Sequence, residues 1–243
     1  MHKYLLLLFL LFITKVTRAQ FTDSTQHHFS YNSTGSINKA NTGSSYLLNN
    51  GLLYEIKKKS IVFNTTNSWV YGQSNHSLTN NDYSSFLNFN LYKTFPHFYY
   101  WGLANYNTSF SLKINNQLLA GLGIAYDFVN TKNTYLNLSD GVLYDKSDLY
   151  LADNTRDVYH TYRNSFRIQF KFVIKDLITV TSSDFLQNSF KSSNDYIVRT
   201  NLGVNLKLNK WLNFTTALNY NRMNRTQTET LLFTYGLTID RYF

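Results

Sequence analysis

Residues 230–243 read TLLFTYGLTIDRYF. Leu231, Phe233, Tyr235, Leu237 and Ile239 alternate with Leu232, Thr234, Gly236, Thr238 and Asp240, and the stretch ends on an aromatic, Phe243. A period of two with one apolar face is the pattern of a half-buried strand. Arg241 breaks the pattern, because it falls on the apolar parity close to the end. The fold turns on whether the rest of the chain supplies partners of the same kind.

The N-terminal stretch is of another kind. His2 and Lys3 precede an unbroken apolar run over residues 4–13, and Thr17-Arg18-Ala19 offers small residues at the two positions a signal peptidase inspects. That is a secretory signal over residues 1–19, too short and wrongly flanked for a membrane span, with Gln20 as the expected first mature residue. The absence of Cys argues against a lipid-anchored variant. Removing Lys3, Lys15 and Arg18 lowers the formal charge from +9 to +6.

About 220 residues remain, enough for one sizeable all-β domain. None of the later stretches approaches ~18 consecutive apolar residues, so helices are not expected to cross a membrane. A barrel escapes that test, because half of each strand faces the lumen. With no Cys there are no disulfide staples, so a core or a closed barrel must hold the chain. Twenty Tyr and nineteen Phe against one Pro favour strands and membrane interfaces.

The alternation recurs along the chain. It predicts strands over residues 27–37, 44–56, 60–72, 82–93, 98–110, 117–128 and 134–144. An eighth, after a long loop over 145–158, sets Tyr162, Phe166, Ile168, Phe170 and Phe172 against Arg163, Ser165, Arg167, Gln169 and Lys171. Further strands are expected over 178–189, 195–208, 212–222 and 230–243. Asp140 falls on the face of Leu136 and Leu138, so the phase there stays open, and a bulge would repair it. The phase around Asp184 and Phe185 is open too. Connections at the end with both termini are short, and those at the far end run longer, notably 73–81 and 145–158.

Twelve strands of about ten or more residues with that loop asymmetry predict an all-β fold: a twelve-stranded antiparallel transmembrane β-barrel with short periplasmic turns and longer external loops. Arg, Lys and Asn share one face and Phe, Leu and Tyr the other, which fits a wet lumen and reverses the sense of a lipocalin-like soluble barrel. Tyr235, Leu237, Ile239 and Phe243 then form a C-terminal insertion signal of the kind read by the barrel-insertion machinery of bacterial outer membranes. Outer-membrane lipid and that machinery are the expected partners, the outer membrane the expected location.

Several stretches, in order, resemble one family. Asn41-Thr42 is similar to its Gly-Asn-Thr motif, with Ala40 for the Gly. Ser68-Trp69-Val70-Tyr71-Gly72-Gln73-Ser74 resembles its Tyr-x-Tyr-Gly-x-Ser strand end, with Trp69 at the first aromatic. Gly121-Leu122-Gly123-Ile124-Ala125-Tyr126 resembles its Gly-x-Gly strand, and Leu136-Asn137-Leu138-Ser139-Asp140-Gly141 the strand after it. The family is domain of unknown function 481, which includes salt-induced outer-membrane proteins. The resemblance implies an outer-membrane barrel of the envelope, and it supplies no activity, catalytic residues or ligand.

The charged residues carry the remaining physical content. By parity, Arg163, Arg167, Lys171, Arg199 and Lys207 face the lumen, as do Glu55, Asp127 and Asp240 near the periplasmic end. Lys171 and Lys207 lie at that end and can be neutralised there, whereas Arg163, Arg167 and Arg199 have no acid placed opposite. One reading is an anion-attracting constriction; the other is that these head groups fill a narrow barrel by bonding Asn and Tyr of facing strands. No enzyme is expected. The alternative from that class is a barrel-embedded lipid hydrolase using His28-Phe29-Ser30, whose spacing puts both side chains on one strand face. His76, His97 and His160 lack metal-ligand spacing. Gly121-x-Gly123 lacks the third glycine of a dinucleotide site and reads as barrel packing. The dispersed charge offers nothing to nucleic acid, and cofactors are not expected. Whether residues 145–158 fold inward as a plug is left open.

Overall fold

The computed structural model describes residues 26–40, 43–58, 60–95 and 97–242. The secretory signal over 1–19, the start at Gln20, Asn41-Thr42, Lys59, Pro96 and the terminal Phe243 lie outside the described residues. The described chain forms twelve strands: β1 (His27–Ala40), β2 (Gly43–Lys58), β3 (Ile61–Ser74), β4 (Ser77–Phe95), β5 (Phe98–Ser109), β6 (Ile114–Asn130), β7 (Thr134–Tyr150), β8 (Arg156–Ile174), β9 (Ile178–Ser189), β10 (Tyr196–Lys207), β11 (Leu212–Met223) and β12 (Thr228–Tyr242). Each pairs antiparallel with its neighbours in sequence, and β1 pairs with β12 through Tyr31↔Ile239 and Ser33↔Leu237. The seam joins residues 28–34 of β1 to 236–242 of β12, while among the described residues 35–40 of β1 are laddered to β2 alone. Both ends of the described chain lie at one end of the barrel, here the lower end.

The alternation that marks β12 sets the radial sense of the whole sheet. Leu231, Phe233, Tyr235, Leu237 and Ile239 are exposed on the outside, while Thr234 and Thr238 are buried within. Apolar side chains out and polar side chains in is the arrangement of a barrel that crosses lipid. Arg241 is exposed on the outer face near the lower rim, where a long side chain reaches the headgroup level.

Strands run further toward the upper end than the sequence predicts. β4 begins at Ser77, so the expected polar loop over 73–81 reduces to Asn75 and His76, whose φ angles are 48° and 66°. Two consecutive positive φ values make a two-residue hairpin turn that matches strand twist. The expected loop over 145–158 also dissolves. β7 continues to Tyr150 and β8 starts at Arg156, so Asp145, Ser147 and Leu149 become inward-facing wall residues, all buried.

The open phases resolve without a bulge at Asp140. The pairs Ser139↔Arg167 and Val142↔Asn164 keep one offset on either side of it. Asp140 therefore points outward, accepting hydrogen bonds from Asn164 Nδ2 at 2.7 Å and from the Gly141 N–H at 2.9 Å. The register shifts between β6 and β7 lie instead at Ile114/Asn116 and Asp127/Val129. Asp184 pairs with Ile168 and Thr200, also on the outer face, and accepts from Ser182 Oγ; Phe185 faces inward opposite Arg167. The Gly-x-Gly pair has a packing reason. A Cβ on Gly123 would fall 2.5 Å from the Trp101 ring, and one on Gly141 would meet the same ring. The indole lies flat against this bare patch of wall, its Nε1 donating to the Ile124 carbonyl at 3.1 Å.

Candidate functional site

The lumen has two unlike halves. On the wall of β5–β8 the inward side chains Gln117, Leu119, Asn137, Leu143, Asp145 and Arg163 are fully buried. Trp101, Tyr99, Ala125 and Leu143 form an apolar cluster there. On the wall from β10 through β12 to β3 many of the inward residues are Asn, Ser or Thr. They include Asn201, Asn205, Thr215, Asn219, Asn64 and Thr66, of which Asn201 and Thr66 are exposed. Asn88 Oδ1 and Asn90 Oδ1, inward on β4, are buried with no protein partner, and such groups are normally satisfied by solvent.

Arg199 joins the halves. From β10 its guanidinium crosses to the facing wall, where Nη1 donates to Asn105 Oδ1 at 3.2 Å and Nη2 to Gln117 Oε1 at 3.3 Å. Gln117 is oriented for this contact. Its Nε2 donates to Ser147 Oγ at 3.0 Å and Asp145 Oδ1 at 3.4 Å, which turns Oε1 toward the lumen. Asn105 is fixed in the same way, its Nδ2 donating to Ser84 Oγ and the Ser85 carbonyl. Arg199 therefore has amide oxygens as partners and no carboxylate within 4 Å among the described residues. Arg167, lower down, donates Nε to Ser139 Oγ at 3.1 Å, and its guanidinium lies 5.5 Å from the Phe185 ring centre. It too lacks a carboxylate partner among the described residues.

Arg163 corrects the expectation. It is inward and fully buried, but two acids hold it: Nε donates to Asp145 Oδ2 at 2.6 Å and Nη2 to Asp195 Oδ1 at 2.7 Å. Nη1 donates to the Asp195 carbonyl and Nη2 also to Tyr159 OH. Both acids sit where the sequence reading placed loop or strand end, so their inward aim was missed. Arg225, in the turn between β11 and β12, extends the network. Its Nε donates to Asp157 Oδ2 at 2.7 Å, Nη1 donates to Asp195 Oδ2 at 3.1 Å, and its guanidinium stacks 3.7 Å from the Tyr159 ring centre. Burial lowers the Arg225 pKa, but the hydrogen bond and charge of Asp157 outweigh it and leave the group firmly cationic. Beside this network Ile114, Leu149, Ile197 and Met223 pack into an apolar cluster. The upper end is packed on that side, while Ser36 and Asn38 on β1 are exposed.

The lower rim also differs in its partners. Asp240 bonds His28 Nε2 at 2.6 Å. Asp127 accepts from Asn137 Nδ2 at 2.8 Å and Asn130 Nδ2 at 2.9 Å. Lys171 and Lys207 have no carboxylate within 4 Å among the described residues, so the expected neutralisation is not made by contact. Glu55 faces His28 in register. Ser30 lies opposite Asp240 on the same face as His28, and the histidine directs Nε2 at the acid. Among the described residues, groups of three or more His, Cys, Asp or Glu placed to hold a metal ion are absent.

The fold is similar to that of several solved outer-membrane proteins. The translocator domain of the autotransporter NalP from Neisseria meningitidis superposes with a TM-score of 0.51 at 12% identity, covering 98% of this chain and 95% of that one. The NanC porin gives 0.51 at 10% identity, covering 88% and 98%. An outer-membrane channel from Pseudomonas putida F1 gives 0.50 at 11%, covering 94% and 100%. At these identities the likeness is one of fold alone. No curated protein matches the chain in sequence. The model of the family described as "Protein of unknown function, DUF481" matches residues 25–239.

Proposed function

We propose, for a chain that belongs to the DUF481 family of proteins of unknown function, that it is a narrow aqueous conduit of the bacterial outer membrane that prefers small anions. The observation that carries the proposal is Arg199, which spans the lumen beside a wall rich in Asn and Thr and has amide oxygens as its partners. A cation held across a narrow, partly desolvated passage attracts anions and raises the barrier to cations. Arg167 adds a second positive charge of the same kind. Arg163 adds none, because Asp145 and Asp195 neutralise it. A porin and an outer-membrane channel among the proteins of similar fold lend support to conduction.

The insertion machinery and outer-membrane lipid belong to the same proposal, through the outward Tyr235, Leu237 and Ile239 of β12. The proposed role has no enzymatic step, and in it His28, whose Nε2 bonds Asp240, is part of the lower rim. The test is single-channel recording of the refolded protein in a salt gradient. The unmodified barrel is expected to show a small conductance with a reversal potential of anion-selective sign. Arg199→Gln is expected to reduce the anion preference severalfold while leaving a measurable conductance. Unchanged selectivity in that variant contradicts the proposed role of Arg199.

A further inference from the structure

At the upper mouth a cavity of about 190 Å³ lies between the top of β8 and the turn over residues 190–195. Tyr159, Thr161, Ser189, Lys191, Asp195 and Arg225 line it, with Ser192 and His160 at its margin. That space is large enough for several waters or for one phosphate-sized group. Its chemistry is that of donors. The Lys191 ammonium donates to the His160 carbonyl at 3.3 Å and has no carboxylate within 4 Å among the described residues. Arg225 uses Nε and Nη1 on Asp157 and Asp195, and a guanidinium has five N–H donors. Ser189 Oγ and Thr161 Oγ1 are bonded to each other at 2.8 Å, which uses one of the two O–H groups and leaves the other as a donor for a ligand.

One carboxylate lines the space, and it is spent: Asp195 receives Arg163 on Oδ1 and Arg225 on Oδ2. The turn that carries Lys191 is itself fixed. Ser189 N–H donates to the Asp195 carbonyl, Asp195 N–H to the Ser192 carbonyl, and Lys191 N–H to Ser189 Oγ. A pocket with an ammonium, a guanidinium edge, the Ser192 hydroxyl and one O–H of the Ser189–Thr161 pair matches the oxygens of a phosphate group, which accepts several hydrogen bonds at once.

We propose that this cavity is a binding site for a phosphate group, distinct from the passage at Arg199. The group has two sources with one chemistry, a lipid headgroup of the surrounding leaflet or a free phosphate solute. The test is titration calorimetry of the full refolded chain in micelles with inorganic phosphate, and flotation with vesicles whose lipids carry phosphomonoester headgroups. Saturable binding to either probe is expected, weakened at least tenfold by Lys191→Gln and largely restored by Lys191→Arg. Ser192→Ala is expected to weaken it less. The heat-modified shift of the folded barrel on gels shows that each variant is folded.

Binding that persists unchanged in Arg199→Gln separates this site from the proposed conduit, whose selectivity that variant alters. Binding to both probes that ignores Lys191→Gln overturns the proposal. So does binding of neither probe, or equal heat from a neutral monosaccharide.

Discussion

Arg163→Met is expected to cost the refolded barrel about 3–5 kcal/mol, the penalty for removing one partner of a buried ion pair. The methionine fills much of the arginine's volume, so the loss is electrostatic. Asp145 stays where the ladder of β7 holds it and Asp195 where the turn before β10 holds it, with their carboxylates facing a site that Arg163 neutralised through contacts of 2.6 Å and 2.7 Å. Arg225 compensates Asp195 in part, through Nη1 at 3.1 Å. Asp145 keeps Tyr159 OH and Gln117 as donors but no cation. The sign of a further change separates this cause from lost packing. Asp145→Asn added to Arg163→Met is expected to recover part of the stability, because it removes the uncompensated charge. Urea unfolding followed by tryptophan fluorescence in micelles measures both, and equal stability of Arg163→Met and the unmodified protein contradicts the network's role.

Trp101→Ala is expected to be comparably damaging, at roughly 3–5 kcal/mol for a large aromatic removed from a packed core. The indole is 5% exposed inside the barrel, contacts Leu143 and Tyr99 in one cluster, and fills the space that Gly123 and Gly141 leave open. Its loss takes bulk from the packed half of the lumen. The same variant is therefore expected to raise single-channel conductance while lowering stability. Gly141→Ala approaches the same end from the wall, because its Cβ would meet the indole and lie 2.5 Å from the Leu122 carbonyl oxygen. That variant is expected to shift the tryptophan emission and to destabilise by about 1–3 kcal/mol, as overpacking does. Stability unchanged in Trp101→Ala refutes the packed half.

The strands were legible because a period of two in Phe, Leu and Tyr is written locally. β9 has the bounds expected from sequence, and β12 differs only at its ends. The upper ends were not legible. From Asp145 to Tyr150 the inward residues are Asp145, Ser147 and Leu149, and the outward ones include Lys146 and Asp148, so the polarity contrast that marks a strand vanishes. The turn at Asn75-His76 has positive φ at both positions without the glycine that usually signals it. Inward aim of Arg163, Arg167 and Arg199 followed from parity alone. Their partners did not. Asp195 lies in a turn, Asp145 in an expected loop, and the contact of Arg199 with Asn105 and Gln117 depends on how far apart opposite walls of a closed barrel stand, a distance no local pattern encodes.

The central claim is that solvent and ions pass along the Asn/Thr wall beside Arg199, and the absence of native cysteine gives it a clean test. Asn201 is inward, exposed and two residues below Arg199 on β10. In Asn201→Cys, a water-soluble, bulky thiol reagent is expected to react within minutes in the folded barrel and to reduce the single-channel current to near zero. A thiol that stays unmodified, or a current that its modification leaves unchanged, would show that the passage does not run there.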